Sequence, residues 1–248
     1  MMPGERRRSV EAAAAPEPVV VTSWRHVDGW WPGRLHHLER TVAAAARTWP
    51  GVPDWAEKVV AATHEMPAEL AEGEWFPRLE VRTTGVTVLL RPAPPRRPAS
   101  RLWTLPGADP RTAPEVKGPD LAVLADARRT ALGRGADDAV LLSSAGHVLE
   151  AAHGTLAWWE GEVLTTPPAA GRLPSVTELR LRELAARRGV RTASAHRTPQ
   201  ELAGHELWLL SALHGISGVT AWEHGGRPLV LAAPGRALAW NTALDEVP

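Results

Sequence analysis

The chain has 248 residues, with 28 basic and 28 acidic side chains and no cysteine. Balanced charge argues against a dedicated binder of nucleic acid or anionic membranes. The lack of cysteine excludes disulfides, thiolate metal sites and a cysteine nucleophile. No apolar run approaches the ~20 residues of a membrane helix, and the start of the chain lacks the apolar stretch of a signal peptide. A soluble cytoplasmic protein is expected, without nucleic-acid or membrane partners.

Along the chain, residues 1–18 are charged and rich in Ala and Pro, the composition of a disordered arm. VVVTSW (19–24) reads as a strand, 27–33 is turn-rich, and 35–48 carries apolar residues at helical spacing until Pro50-Gly51 stops it. A second helical stretch covers 54–72, with a break at Met66-Pro67. Strand-like runs at 75–83 and 85–92 form a hairpin about Thr84-Gly85. Between Arg91 and Pro114 there are seven prolines, which read as a stiff crossing. The expected organisation is a smaller domain over 19–104, a linker over 105–114 and a larger domain over 115–248.

The second half predicts a helix over 121–135 closed by Gly135, hairpins over 139–151 and 155–167, and a helix over 175–190 ended by Gly189. A short strand (191–198), one helical turn (199–204) and a strand–turn–strand unit (205–222) follow. Helices and hairpins mix without βαβ alternation, so the fold class is α+β.

Residue usage is uneven. There are 12 Trp, one Phe and no Tyr, and Lys58 and Lys117 are the only lysines among the 28 basic residues. Where a positive charge suffices, this chain writes Arg. A surviving lysine therefore raises the question of what an amine can do that a guanidinium cannot, namely deprotonate and form an imine. Ten histidines are present, but no H-E-x-x-H, P-loop or G-x-G-x-x-G string occurs, and no metal site is expected. Arg78 and Arg91, at the ends of the first-domain hairpin, are candidates to hold a substrate carboxylate.

Four segments, in this order and spacing, carry a resemblance: KGPDLAVLADARRTALGRGADDAVLLSSAGHVLEAAHGTLAWWEGEVLTTPP, LPSVTELRLRELAARRGV, LWLLSALHGISGV and the weaker HHLERT. Together they resemble the class IV aminotransferases, the fold-type IV enzymes that use pyridoxal phosphate (PLP). This family includes branched-chain and D-amino-acid aminotransferases and 4-amino-4-deoxychorismate lyases. The resemblance implies a two-domain α+β fold with PLP in the cleft between domains, a homodimer, and transamination of an amino acid or pyruvate elimination from 4-amino-4-deoxychorismate. It implies that Lys117 is the Schiff-base lysine and Glu150 the partner of the pyridine nitrogen. Their separation of 33 positions matches the lyase branch. Arg40, the helix start at Val176 and Thr177, and the Ser211-Ala212 turn are implied phosphate contacts, and Thr155 a further cofactor contact. The chain departs from the family where Asp120 and Leu121 replace Asn-Arg or Asn-Tyr, where Thr155 replaces Asn, and in having no tyrosine. These departures keep a second possibility open, a dimeric binding or scaffold protein of the same fold.

Overall fold

The computed structural model describes residues 19–64 and 68–247. The arm expected over 1–18 and the break expected at Met66-Pro67 lie outside these residues. The first half begins with β1 (Val20–Ser23) and β2 (His26–Val27), followed by α1 (Arg34–Thr48) and α2 (Trp55–His64). A 3-10 turn covers Ala68–Ala71 (a second, at Gln200–Leu202, falls where one helical turn was expected), after which come β3 (Glu74–Trp75), β4 (Arg78–Arg82) and β5 (Gly85–Leu89). The strand expected over 75–83 is thus two strands. Pro77 lies between them and has no N–H to give a ladder. Strands β1, β4 and β5 form a small antiparallel sheet in that order. Its core buries Trp24, Trp31, Leu38, Trp55, Leu79 and Val81 against α1 and α2, with Trp24 and Trp31 stacked at 3.8 Å.

The proline-rich stretch contains an element that the proline count conceals. Residues 99–105 are free of proline, and β6 (Ala99–Thr104) fits inside this window, between β strands of the larger sheet. The passage from the small sheet to the large one therefore runs through 90–98.

The remaining elements are α3 (Leu121–Gly133), β7 (Asp138–Leu142), β8 (Val148–Ala151), β9 (Thr155–Glu160), β10 (Val163–Thr166), α4 (Val176–Arg187), β11 (Arg191–Ser194), β12 (Leu207–Ser211) and β13 (Gly215–His224). Two more, β14 (Arg227–Leu229) and α5 (Ala237–Leu244), fall where no element was expected. The large sheet runs β11-β10-β9-β12-β13-β6-β7-β8, with β14 on β13. Only β10/β11, β13/β6 and β6/β7 are parallel pairs. A bridge between Ala151 and Gly154 brings the β8 edge back beside β9, and the sheet curls into a half-barrel.

Strands β7 and β9 are buried throughout or nearly so, because α3, α4 and α5 cover one side and the barrel interior fills the other. Indole supplies much of the bulk: Trp159, Trp208 and Trp240 meet with ring centroids 5.4–5.6 Å apart. Among the described residues no helix is long and apolar enough to cross a membrane.

Candidate active site

Lys117 sits in the loop that leads from β6 into α3, and the backbone there leaves little freedom. The Val21 N–H donates to the Lys117 carbonyl at 2.8 Å, so β1 of the small sheet lies across the lysine segment. Gly118 makes that crossing possible. A Cβ at this position would fall 1.6 Å from the Val19 carbonyl oxygen. Asp120 closes the loop from the other side, accepting from the Thr112 N–H and hydroxyl (both 3.0 Å) and from the Ala113 N–H (2.8 Å). Burial pushes this carboxyl up, but those bonds outweigh it and hold it below the usual range. The departure at Asp120 thus has a structural role.

The loop delivers the Lys117 amine to a cavity of about 480 Å³ between the small sheet and the half-barrel. Burial and then the Arg40 charge push the amine down to about 8, while Glu150 pulls the other way. A lysine at about 8 carries a substantial neutral fraction near physiological pH, which an ordinary lysine does not.

Glu150, on β8, is 5% exposed. Its Oε1 accepts from Arg111 Nη1 at 2.6 Å and from the Leu173 N–H at 2.8 Å. Burial raises this carboxyl above its ordinary value, opposed by Arg111. Arg111 is itself forked onto Asp109, with Nη2 to Oδ2 at 2.8 Å. Sequence reasoning missed Arg111, because an arginine in an irregular proline-flanked loop has no periodicity to single it out.

At the opposite wall, Arg40 projects from α1. Its Nη1 donates to the Pro174 carbonyl and its Nη2 to the Thr22 hydroxyl, both at 3.0 Å. Neither acceptor is charged, and among the described residues no carboxylate pairs with Arg40. Burial lowers it to about 10. The Thr22 hydroxyl also lies 2.7 Å from Nδ1 of His37, a buried imidazole held well below its ordinary value by desolvation and then by Arg40. Beside this cation, α4 begins. Ser175 caps it by accepting from the Glu178 N–H at 3.2 Å, and Val176 and Thr177 present the first free N–H groups of the helix to the cavity. A half-buried guanidinium with neutral partners, set against a helix start, is an anion-binding arrangement.

The structure places Arg40, Lys117, Glu150, Thr155, Val176, Thr177, Ser211 and Ala212 on the wall of one cavity, from α1, the β6–α3 loop, β8, β9, α4 and the end of β12 with its turn. Thr155 has a second duty: its Oγ1 accepts from Arg172 Nη1 at 3.1 Å. The Ser211 Oγ accepts from the His214 N–H at 3.1 Å and so shapes the β12–β13 turn. Arg78 and Arg91 also line the cavity. Arg91 lies over the Phe76 ring at 5.0 Å and donates to the Phe76 carbonyl and Ser23 hydroxyl.

Comparison with known proteins identifies the family and the fold. The family profile for amino-transferase class IV matches residues 13–222. The fold-type IV transaminase CpuTA1 from Curtobacterium pusillum is 23% identical with a TM-score of 0.77, covering 96% of this chain and 89% of its own. A hypothetical aminotransferase from Mycobacterium tuberculosis, in a PLP-bound form, is 25% identical with a TM-score of 0.77 over 99% of this chain and 94% of that one. A protein assigned as a 4-amino-4-deoxychorismate lyase from Legionella pneumophila is 17% identical with a TM-score of 0.75, covering 95% of both chains. No curated protein matches by sequence. With its family profile spanning most of the sequence and its half-barrel shared with these structures, the chain belongs to the class IV aminotransferase family and has the fold-type IV fold.

Proposed function

We propose that the chain is a PLP-dependent enzyme that uses Lys117 to work on the amino group of a small carboxylate-bearing substrate, by transamination or by pyruvate elimination from an amino-chorismate. The observation that carries this reading is the meeting, in one cavity, of a desolvated amine, a buried carboxylate and an anion site made of Arg40 and the α4 start. The residues fit the cofactor. Arg40 and the Val176 and Thr177 N–H groups, with the Ser211-Ala212 turn, would hold the phosphate. Glu150, fixed by Arg111 and the Leu173 N–H, would face the pyridine nitrogen and keep its proton in place. Lys117 would condense with the aldehyde.

Bound there, the cofactor supplies an electron sink for the pair left when a bond to the substrate's α-carbon breaks. The protein's part is proton handling and positioning. The Lys117 amine would take the proton from the substrate's α-carbon and return it elsewhere, a task suited to an amine titrating near 8. Arg78 and Arg91 stand on the small-sheet side, and Arg78 is one of the charges felt by Lys117. Both are placed to meet the substrate's α-carboxylate.

Borohydride reduction of the PLP-loaded protein followed by peptide mass mapping tests the assignment. The pyridoxyl group is expected on Lys117 alone, and Lys117→Arg should abolish the visible band near the ~400 nm region while keeping the charge. Lys58 is an internal control, an exposed amine resting over the Trp55 ring and donating to the Pro53 carbonyl. A label on Lys58, or on neither lysine in protein that has bound PLP, overturns the mechanism and leaves the binding or scaffold reading.

A further inference from the structure

His37 is a buried imidazole that the chemistry described so far does not use. It stands on α1 three residues before Arg40, and residues at that spacing are neighbours on a helix surface. The residue is 2% exposed, with Trp24 and Trp31 tilted against its ring at 6.1 and 6.3 Å. Its Nδ1 lies 2.7 Å from the hydroxyl of Thr22, which is fully buried on β1. That same hydroxyl accepts from Arg40 Nη2 at 3.0 Å.

The protons along these three groups can be ordered. A guanidinium only donates, so the Thr22 oxygen is committed as an acceptor toward Arg40. The hydroxyl's own proton then needs an acceptor, and among the described residues only Nδ1 of His37 bonds to it besides Arg40. A neutral imidazole that accepts at Nδ1 carries its proton on Nε2. The reverse order, with Nδ1 donating to Thr22, would strand the hydroxyl proton in a fully buried place, which is costly. An imidazolium is disfavoured further. Burial, then the charges of Arg40, Arg180, Lys117 and His36, hold the ring well below its ordinary value. Arg40 thus gains a fixed acceptor that brings no charge of its own. A carboxylate in the same place would aim the guanidinium equally well but cancel the charge that an anion needs.

We propose that His37 is a positioning residue for the anion site: as the Nε2–H tautomer it takes the Thr22 hydroxyl proton, fixes Thr22 as an acceptor and so aims Arg40 at the cofactor's phosphate. The inference rests on the reading of the cavity as a PLP site, and it adds a residue that acts on the phosphate only through two others.

Two measurements test it. The first is nitrogen NMR of the histidine-labelled protein without PLP, the His37 signals being identified by their loss in His37→Asn. A pyridine-like Nδ1 and a pyrrole-like Nε2, unchanged between about pH 5 and 8, are expected. A protonated Nδ1, or titration of the ring in that interval, overturns the proton order and the proposal with it.

The second is PLP affinity, read from the visible band. His37→Leu and Thr22→Val should each weaken binding by about tenfold or more, the scale of a lost hydrogen bond to a charged group. His37→Asn, whose amide oxygen can take the place of Nδ1, should recover most of the loss. In an Arg40→Ala background, His37→Leu should change affinity by less than about twofold, because its influence passes through Arg40. A loss as large there as in the parent would give His37 a packing role alone and overturn the positioning. His36→Gln, at the neighbouring position on α1 and paired with Glu183, is the control and should bind PLP like the parent. Thermal unfolding checks that each variant is folded. Failure of the cofactor reading shows separately, as a parent that gains no visible band with PLP. The variants are then compared by calorimetric titration with inorganic phosphate, where the same losses and the same dependence on Arg40 are required.

Discussion

The Lys117 amine is held at a cost to the folded state. In the unfolded chain a lysine keeps its proton up to about 10.5, whereas here burial and Arg40 release it at about 8. Below pH 8 both states are protonated, and the full penalty of a desolvated cation weighs on the fold. Between pH 8 and 10.5 the unfolded chain binds more protons than the folded one, so this residue's contribution to stability rises with pH and levels off above 10.5. Replacing the amine with an apolar side chain of similar length removes the penalty. Lys117→Met, measured without PLP, should therefore melt higher than the parent at pH 7, and the difference should shrink as pH rises from 8 to 10.5. A difference that does not change with pH would show that the amine is not desolvated. The pressure on this position was visible in composition alone, since a chain that writes almost every base as Arg kept lysine here. Its supports were not: Arg111 and His37 act through partners 39 and 15 residues away, Glu150 and Thr22.

Among the elements, the loop of residues 167–175 does more for the cavity than any strand. It supplies the Leu173 N–H to Glu150 and the Pro174 carbonyl to Arg40, and it ends in the cap of α4. Arg172, 3% exposed, pins it. That guanidinium donates to the Pro167 and Pro168 carbonyls at 2.7 and 2.8 Å, to Thr155, and in a fork to Glu178 at 2.5 and 3.0 Å. Breaking a buried pair typically costs about 3–5 kcal/mol, and the lower end applies here because Arg182 Nε also donates to Glu178 Oε1 at 3.1 Å. Arg172→Met should lower stability on that scale in urea unfolding and weaken PLP binding more than tenfold. Unchanged stability would remove Arg172 from the framework. In sequence the loop reads as a turn between a hairpin and a helix, which is correct and uninformative, because its hydrogen bonds go to residues distant along the chain.

For the molecule as a whole, the decisive contact is the crossing of β1 over the lysine segment. It joins the two sheets through the Val21–Lys117 backbone bond and depends on the missing side chain at Gly118. Gly118→Ala places a methyl group inside the van der Waals radius of the Val19 carbonyl, so one of the two strands of chain must move. The expected result is a loss of several kcal/mol in stability, on the scale of other severe overpacking and backbone clashes (~3 kcal/mol or more), together with loss of PLP binding. A variant that binds PLP and melts like the parent would place the crossing elsewhere.

By itself the sequence determined the local features: the amphipathic helices, the hairpins closed by glycine turns and the α+β class. These are legible because periodicity and turn chemistry act between neighbours in the chain; the eight residues proposed for the site came instead from the family resemblance. Strand β6 escaped notice because its partners β13 and β7 are distant in sequence, and the prolines on either side of it outweigh its short apolar pattern. Helix α5 escaped because eight residues are too few for a period to emerge. Only the tertiary structure decided that Asp120 closes a loop and that Arg111 holds Glu150. Each of these is a hydrogen bond or a charge whose value depends on burial and on a partner brought close by packing, and neither can be read from the chain in extended form.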